Sequence, residues 1–269
     1  MTLTAPLTAL RTRRVDRMRH RLARGPLPVH IALIMDGNRR WARQRGLANP
    51  SLGHRIGAEH LDHVLAWCSS LGIEHVTVYV CSTENLQRRS AAEVGYLMQV
   101  IEQIVADRLA RPDASWKLHV AGRVDALPAS TATALRKAVA ASSARNTGAH
   151  LTLAIGYGGR QEVVEAVRSL LRSHAQDGGT LGSLAGSINQ DSIAAHLYTA
   201  GSPEPDLIIR TSGERRMSNF LLWQSVYSEL HICKAFWPAF RELDFLRAVR
   251  RYAASKGYTA RSWQSSAGS

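Results

Sequence analysis

Charged and polar residues follow several short apolar runs of this sequence. Asp36–Trp41 (DGNRRW) follows the run Val29–Met35, Ser82–Arg89 follows a second run, and Arg210–Arg216 (RTSGERR) follows a third. Arginine side chains and exposed backbone N–H groups are the donors that diphosphates require. A few carboxylates beside them would hold Mg²⁺. These residue types therefore indicate a site for a diphosphate and a divalent metal ion.

Several other motifs for phosphate or metal binding are missing from the sequence. Gly156–Gly159 (GYGG) does not match the GxGxxG fingerprint of dinucleotide-binding proteins, and the chain has no GxxxxGK[ST] phosphate loop. We therefore interpret GYGG as a structural turn. Cys68, Cys81 and Cys233 are far apart and form no CxxC pair, which argues against a zinc ribbon or a disulfide framework. This cysteine usage is typical of cytoplasmic proteins.

From Val29 onward, apolar runs alternate with stretches of helical periodicity. The predicted strands are 29–35, 75–81, 116–121, 151–155, 206–210 and 230–233. The predicted helices are 55–71, 90–109, 129–144, 162–171, 191–198 and 245–254. The Gly/Ser-rich segment Leu181–Ser187 is predicted to be a loop, and the residues from Ser255 onward are predicted to fray.

This alternation predicts an α/β fold with a mostly parallel sheet and helices on both of its faces. We expect one domain over 29–254, with 1–28 as a basic N-terminal extension and 255–269 as a flexible tail, because no repeat or composition break marks a second domain. Ligands of open α/β sheets bind at the carboxyl ends of the strands. The charged segments are therefore expected to lie on one rim of the sheet.

Positive charge is concentrated near the N-terminus. The chain has 34 Lys and Arg against 21 Asp and Glu, a net charge of +13, and residues 1–28 carry seven arginines and one aspartate. Arg11–Arg24 is predicted to be an amphipathic basic helix that either contacts anionic lipid or packs on its own domain. No apolar run approaches the ~18 residues that span a bilayer. No nucleic-acid partner is expected, because aromatic residues are not interleaved with the basic ones. The apolar residues that share one face of the helix are Leu10, Val15, Met18 and Leu22.

Three blocks of the sequence resemble a known family. His30–Ala42 (HIALIMDGNRRWA), Ser82–Arg88 (STENLQR) and Asp206–Phe240 (DLIIRTSGERRMSNFLLWQSVYSELHICKAFWPAF) are similar to signature blocks of the cis-prenyltransferases, the undecaprenyl diphosphate synthase family. The similarity runs in order from about Leu27 to Tyr252. Within the family, the sequence most resembles the short-chain actinobacterial type that makes Z,E-farnesyl diphosphate.

This resemblance implies a fold, a reaction and an assembly. The fold would be a six-stranded, mostly parallel sheet with a hydrophobic tunnel, in each subunit of a cytoplasmic homodimer. The reaction would be Mg²⁺-dependent addition of isopentenyl diphosphate to an allylic diphosphate such as geranyl diphosphate, with a new cis double bond. The trans-prenyltransferases use DDxxD motifs instead, and that class is excluded because no two aspartates are adjacent in this chain.

The resemblance also implies roles for individual residues. Asp36 would be the essential carboxylate that supports Mg²⁺ and diphosphate departure, and Glu229 would come near the metal. Asn85 would act in catalysis from a loop that positions the reacting groups. The residues implied to bind the allylic diphosphate are Gly37, Asn38, Arg39, Arg40, Trp41, His54 and Arg88. The residues implied to bind isopentenyl diphosphate are Arg210, Arg216 and Ser218.

Some positions depart from the pattern of long-chain members of the family. Arg39 replaces a usual glycine, and the segment 47–52 has an extra residue and lacks the usual arginine, whose charge Arg39 could supply. Leu86 replaces a tryptophan, as in the short-chain type, and Val80 stands where alanine is common. Extra bulk at Val80 would stop chain growth early, so we expect a C15 product.

Three alternative functions stay open. The protein could make longer C50–C55 chains, or it could couple two dimethylallyl units into a branched or cyclised product. The second alternative gains weight from His231, where most relatives carry an aromatic residue. A non-catalytic partner subunit is the third alternative, and the presence of Asp36 argues against it because such subunits generally lose this aspartate.

Overall fold

Six strands form one sheet within the residues that the structure describes. The structure is a computed structural model that describes residues 4–111 and 114–266, with side chains over 12–111 and 114–256. The strand order across the sheet is β3-β4-β2-β1-β5-β6. The strands are His30–Ile34 (β1), His75–Ser82 (β2), Lys117–Ala121 (β3), His150–Tyr157 (β4), Leu207–Arg210 (β5) and Glu229–Ile232 (β6).

Helices connect these strands, as the sequence predicts. The α-helices are Thr4–Leu22 (α1), Asn38–Gln44 (α2), Leu52–Ser70 (α3), Thr83–Arg88 (α4), Ala91–Ile104 (α5), Ala129–Ser143 (α6), Gly159–Gln176 (α7), Leu181–Ser187 (α8), Gln190–Ala194 (α9) and Glu242–Ser266 (α10). Val105–Leu109 is a π-helical turn, and Val124–Ala126 and Trp237–Ala239 are 3₁₀ turns. The predicted α/β fold with a parallel sheet is confirmed.

The register of β1, β5 and β6 determines which residues meet at the carboxyl edge of these strands. The strands β1 and β5 are parallel neighbours, with Ile34 opposite Arg210, and β5 and β6 are parallel neighbours, with Arg210 opposite Ile232. All residues of β1 and β5 are buried, which explains why both strands are continuous apolar runs. The segments after Ile34 and Arg210 therefore leave the sheet side by side.

The chain divides into two compact units. The first unit comprises the described residues of Met1–Val76, Pro205–Arg215 and Ser228–Ser269, and the second comprises those of Thr77–Glu204 and Arg216–Tyr227. In the first unit, Ile31, Leu33, Ile208, Phe245 and Val249 are among the fully buried core residues. In the second unit, fully buried core residues include Leu118, Leu135, Leu151, Ile155, Tyr157 and Phe220.

Leu181–Ser187 and the C-terminal segment differ from the structure that their sequence predicts. Leu181–Ser187 is the helix α8 rather than a loop, because Thr180 and Ser183 form a capping box: Thr180 Oγ1 accepts from the Ser183 N–H at 3.2 Å, and Ser183 Oγ accepts from the Thr180 N–H at 3.0 Å. The helix α10 continues past Ser255 to Ser266, where a frayed tail was expected. Residues 267–269 of that predicted tail lie outside the described residues.

Candidate active site

The turn after β1 holds Asp36 at the carboxyl edge of the first unit. The Asp36 carbonyl accepts hydrogen bonds from Thr211 Oγ1 at 2.7 Å and from the Trp237 N–H at 3.0 Å. The next residue, Gly37, has φ of 101°, and a Cβ there would lie 2.5 Å from the Phe236 ring. Only glycine meets both conditions, so the turn requires it. The backbone of Asp36 and Gly37 is thus fixed by two other segments of the first unit, one with Thr211 and one with Phe236 and Trp237.

The Asp36 carboxylate lies among hydrogen-bond donors. Its Oδ2 accepts from Arg210 Nη2 at 2.9 Å and lies 3.4 Å from Arg40 Nη2, while its Oδ1 accepts from the Gly37 N–H at 2.7 Å. Partial burial raises the pKa of Asp36, but hydrogen bonds from Arg210 and Ser212 and the charges of Arg210 and Arg40 outweigh burial, and the net pKa is lowered. The carboxylate is therefore ionised at neutral pH, and its side chain is still 31% exposed.

Arg40 extends from α2 over this carboxylate. Its Nη2 donates to Ser212 Oγ at 2.7 Å, and its Nη1 lies 3.7 Å from Glu214. The guanidinium carbon lies 5.4 Å from the centroid of the Phe236 ring, which is a cation–π distance. Arg40 is 43% exposed, whereas Arg210 is 4% exposed. The site thus combines one buried cation with one solvent-accessible cation.

The second unit holds the segment of Ser218 through a close backbone contact. Ser218 and Asn219 have φ of 53° and 62°, and the Asn219 carbonyl accepts from the Gly159 N–H at 2.8 Å. Asn219 Oδ1 accepts from the Arg160 N–H at 2.9 Å, and its Nδ2 donates to Glu84 at 2.7 Å. A Cβ at Gly158 would lie 2.8 Å from Asn219 Nδ2. GYGG, which was predicted to be a turn, is the end of β4 and the start of α7, and Gly158 leaves room for the Asn219 side chain.

Asn85 and Arg88 lie on the short helix α4 of the second unit, where the family resemblance implies a loop. Ser82 caps this helix, because its Oγ accepts from the Asn85 N–H at 3.0 Å. In the preceding strand β2, Tyr79 stacks on Phe220 with ring centroids 4.5 Å apart, and its hydroxyl donates to the Ser218 carbonyl at 3.1 Å. Val80, the residue after Tyr79, is half-buried.

A buried carboxyl supports the same segment of the second unit. Glu162 accepts hydrogen bonds from the Tyr157 hydroxyl, from the Tyr198 N–H at 3.1 Å and from Gln224 Nε2 at 3.1 Å. Burial raises the pKa of Glu162, although these hydrogen bonds oppose the shift. Glu162 and Asn219 were not among the predicted site residues, because their side-chain partners other than Tyr157 lie 36 to 135 residues away along the chain.

The structure brings together some of the predicted site residues. Asp36, Arg40 and Arg210 are in contact, together with Ser212 and Glu214, which the prediction did not include. The remaining predicted residues are distributed over several elements: Gly37, Asn38, Arg39 and Trp41 lie at or near the start of α2, His54 lies in the first turn of α3, Asn85 and Arg88 lie in α4, Val80 lies in β2, Arg216 and Ser218 lie between β5 and β6, and Glu229 begins β6. Trp41 is half-exposed and has the Arg45 guanidinium 5.5 Å from its ring, so it is not a core residue.

Glu229 lies at the other end of the strands from Asp36 in this chain. It lies opposite Leu207 at the amino end of β6, three residues before Ile232, which is ~10 Å at the usual rise per strand residue. Its carboxylate accepts from Arg251 Nε at 3.2 Å. The strand register thus places Glu229 and Asp36 at opposite ends of their strands, and a role of Glu229 near the metal stays a prediction.

Within the described residues, no cluster of three or more His, Cys, Asp or Glu side chains could hold a metal ion by itself. Asp36 is nevertheless an ionised carboxylate next to donors for a diphosphate. Mg²⁺ is commonly bound by one or two carboxylates together with substrate phosphates. The donor set around Asp36 fits this mode of binding. In addition, the described part of the chain has no helix with the length and hydropathy of a membrane span.

Comparison with known proteins identifies the family. A family model described as "Putative undecaprenyl diphosphate synthase" matches residues 34–258, which is most of the chain. The chain belongs to the cis-prenyltransferase family. The predicted resemblance is thus confirmed. The family comprises Z-prenyl diphosphate synthases, which are prenyl transferases and generally depend on Mg²⁺.

Individual relatives support the same assignment. An isoprenyl transferase of Streptomyces fradiae is 66% identical over 88% of this chain and 92% of its own length. The (2Z,6E)-farnesyl diphosphate synthase of Mycolicibacterium smegmatis is 46% identical over 88% of this chain and 90% of its own length. The (2Z,6E)-farnesyl diphosphate synthase of Thermobifida fusca is 48% identical over 93% of this chain and 96% of its own length. A crystal structure of lavandulyl diphosphate synthase from Lavandula x intermedia in complex with dimethylallyl diphosphate matches with a TM-score of 0.77 and 33% identity, covering 84% of this chain and 95% of that chain.

Proposed function

We propose that this protein condenses an allylic diphosphate, geranyl diphosphate in the first instance, with isopentenyl diphosphate to give Z,E-farnesyl diphosphate. The observation that carries the proposal is the Asp36 carboxylate held at 2.9 Å from Arg210 and 3.4 Å from Arg40, with Arg40 partly exposed. Ionising an allylic C–O bond requires that the charge on the departing diphosphate be neutralised. A rigid carboxylate beside cations and backbone donors supplies the groups for that neutralisation.

Asp36, together with the substrate diphosphate, would hold Mg²⁺. The metal would supply Lewis-acid stabilisation of the leaving group. Arg40 and the N–H groups at the start of α2 would bind diphosphate oxygens, since guanidinium groups and helix N-termini both favour anions. Arg210 keeps the Asp36 carboxylate ionised and fixes its direction. We propose further that Arg39 and His54 of the first unit contribute to allylic diphosphate binding.

The assignments to the second unit have independent support. Ser218 has a defined backbone conformation because Asn219, Gly159 and Tyr79 hold its segment. Such rigidity suits a residue that binds a substrate. We propose Ser218 and Arg216 as ligands of isopentenyl diphosphate, and Asn85 and Arg88 of α4 as residues that act on the allylic substrate.

Product length is the finer part of the proposal. Val80 and Leu86 carry more bulk or a different shape than the residues common in long-chain members, and two relatives at 46% and 48% identity are named (2Z,6E)-farnesyl diphosphate synthases. Purified protein should be incubated with isopentenyl diphosphate and C5, C10 or C15 allylic primers, and the products separated by chain length. We expect a C15 product from geranyl diphosphate that disappears when EDTA is added. C50–C55 chains as the main product would contradict the proposed product length.

A second candidate function is the coupling of two dimethylallyl units. It is favoured by the match to lavandulyl diphosphate synthase and by His231, which is half-buried with an Nδ1 atom that has no hydrogen-bond partner. The same assay without isopentenyl diphosphate discriminates the two reactions. A product formed from dimethylallyl diphosphate alone would favour the second candidate.

We propose that the protein is a homodimer with its own catalytic activity. Leu222, Val226 and Tyr227 lie close together in the sequence before β6 and are 39%, 69% and 87% exposed. Exposed apolar residues grouped in this way are typical of protein interfaces. Light scattering after size exclusion should give twice the subunit mass of 29.5 kDa. Turnover by the isolated protein would exclude the role of a non-catalytic subunit that needs another chain.

We propose a cytoplasmic enzyme that contacts membranes through α1. The three cysteines are buried thiols, which suits a reducing compartment. On α1, Val15, Met18 and Leu22 are shielded from solvent to differing degrees, whereas Arg13, Arg17 and Arg21 are exposed. The exposed arginines of α1 would attract an anionic lipid surface, and the helix would not insert into it. Co-sedimentation with phosphatidylglycerol vesicles, lost at high salt and in a variant with these arginines changed to glutamine, would support the contact. Equal binding to neutral vesicles would contradict it.

A further inference from the structure

Ser212 adopts a backbone conformation that serine rarely occupies. Its φ is 75°, in the left-handed region that favours glycine, and the next residue, Gly213, has φ of 81°. Two hydrogen bonds hold this conformation, from the Ser212 N–H to the Ala235 carbonyl at 2.7 Å and from the Gly213 N–H to the Cys233 carbonyl at 2.9 Å. A disfavoured conformation that neighbouring segments enforce is a reason to ask what its side chain does.

The conformation directs the Ser212 hydroxyl between two charged groups of the site. Ser212 Oγ accepts from Arg40 Nη2 at 2.7 Å, and the same hydroxyl lies close enough to the Asp36 carboxylate to help lower the pKa of Asp36. The Arg40 Nη2 is also 3.4 Å from Asp36 Oδ2. The hydroxyl therefore links the carboxylate and the guanidinium that face each other across it.

Ser212 is the closest polar contact of the Arg40 guanidinium. The two acidic contacts of Arg40 are longer, at 3.4 Å to Asp36 and 3.7 Å to Glu214. An arginine that is 43% exposed loses side-chain entropy when it is held in one orientation, so a neutral hydrogen bond that holds it beforehand aids ligand binding. Because serine is uncharged, it orients the guanidinium without cancelling the positive charge that a diphosphate requires.

We propose that Ser212 is a positioning residue that orients Arg40 toward the diphosphate of the allylic substrate. This inference deepens the proposed function and rests on it for the identity of the substrate. Ser212 does not itself touch the reacting atoms. It acts through Arg40, and the strained backbone is the structural feature that places its hydroxyl there.

The test compares Ser212→Ala with Ser212→Gly. Both substitutions remove the hydroxyl, but glycine also relieves the backbone strain, so Ser212→Gly should unfold at a higher temperature than Ser212→Ala. We expect both variants to raise the KM for geranyl diphosphate about tenfold, the usual consequence of losing a hydrogen bond to a charged group, with the KM for isopentenyl diphosphate changed less than twofold. An equal rise in the KM for geranyl diphosphate and the KM for isopentenyl diphosphate would overturn the proposal. A raised KM for geranyl diphosphate in Ser212→Ala but not in Ser212→Gly would also overturn it. Each result points to a general disturbance of the loop.

A double-mutant cycle with Arg40→Ala tests whether Ser212 acts through Arg40. In the Arg40→Ala background, Ser212→Ala should change the KM for geranyl diphosphate less than twofold. A tenfold effect that persists in that background would overturn the inference.

Calorimetric titration with inorganic pyrophosphate and Mg²⁺ separates this inference from the proposed reaction. If the protein shows no prenyl transfer, the proposed function is refuted. If both Ser212 variants nevertheless bind pyrophosphate more weakly, the role of Ser212 still holds. Unchanged binding by both variants would refute the role of Ser212.

Discussion

Asn219→Ala should destabilise the protein and weaken binding of isopentenyl diphosphate. Asn219 has φ of 62°, accepts from the Arg160 N–H at 2.9 Å and donates to the Glu84 carboxylate at 2.7 Å. Loss of the neutral hydrogen bond costs about 1 kcal/mol and loss of the bond to a carboxylate about 1.5 kcal/mol. Alanine in the left-handed region adds about 1 kcal/mol.

The sum is a loss of about 3.5 kcal/mol in the free energy of unfolding. A chain of this size loses about 2–4 °C in Tm per kcal/mol, so the Tm should fall by about 7–14 °C. Urea unfolding followed by circular dichroism measures the free energy directly. Because Asn219 adjoins Ser218, the KM for isopentenyl diphosphate should also rise more than that for the allylic substrate.

Two further variants separate the contributions at this position. Asn219→Gly tolerates the backbone conformation and loses only the side-chain hydrogen bonds, so it should be more stable than Asn219→Ala. Asn219→Asp keeps the acceptor for the Arg160 N–H but places a second negative charge beside Glu84. The matched control is Asn146→Ala, since Asn146 is exposed. A loss of less than 1 kcal/mol for Asn219→Ala, or equal stability of the alanine and glycine variants, would refute this reasoning.

Four other substitutions test the remaining assignments. Asp36→Asn should lower turnover at least about a thousandfold while far-UV circular dichroism stays unchanged; retained turnover would remove Asp36 from catalysis. Gly37→Ala should lower the free energy of unfolding by about 2–4 kcal/mol, because the strain of the positive φ adds to a 2.5 Å clash with Phe236. Gly46→Ala should lower it by only about 1 kcal/mol, because Gly46 has φ of 68° but open space around it. Equal losses in the two variants would exclude the clash. Val80→Ala should lengthen the product, and an unchanged product length would exclude Val80 as a determinant. Burial raises the pKa of Glu162 in the folded state, so the folded chain keeps this proton to a higher pH than the unfolded chain does. The free energy of unfolding should therefore fall as pH rises from the ordinary pKa of 4.5 through the raised pKa. Glu162→Gln should flatten this pH dependence in urea unfolding measured at a series of pH values, and an unaltered slope would contradict the assignment.

The parts of the fold that depend on local pattern could be predicted from the sequence. Continuous apolar runs gave β1 and β5 to within two residues, because strands buried on both faces need no polar alternation. The meeting of Asp36 and Arg210 also followed from a general rule, since parallel strands present their carboxyl ends on the same edge. The pairing of these two side chains is a direct consequence of the register between Ile34 and Arg210.

The remaining features depend on contacts that no local pattern encodes. Asn219 matters because a glycine turn 60 residues earlier admits it, and Glu162 matters because Gln224 reaches it from another segment. The role of Glu229 near the metal was taken from family resemblance, and the register of β6 determines the end of the strand at which it lies. The helix α8 was missed because its Gly/Ser content outweighed the capping signal of Thr180 and Ser183.

The long sequence separation within the site has a consequence for the biosynthesis of the protein. Asp36 and Arg210 are 174 residues apart, and β6 completes its pairing with β5 only at Ile232. During translation, the N-terminal half therefore emerges before β5 can pair with β1. At that stage, Asp36 also lacks its hydrogen bond from Arg210. We expect a nascent chain that ends before β5 to be inactive and prone to aggregation, because its apolar strand edge stays open. Competence for diphosphate chemistry should appear abruptly near the end of synthesis.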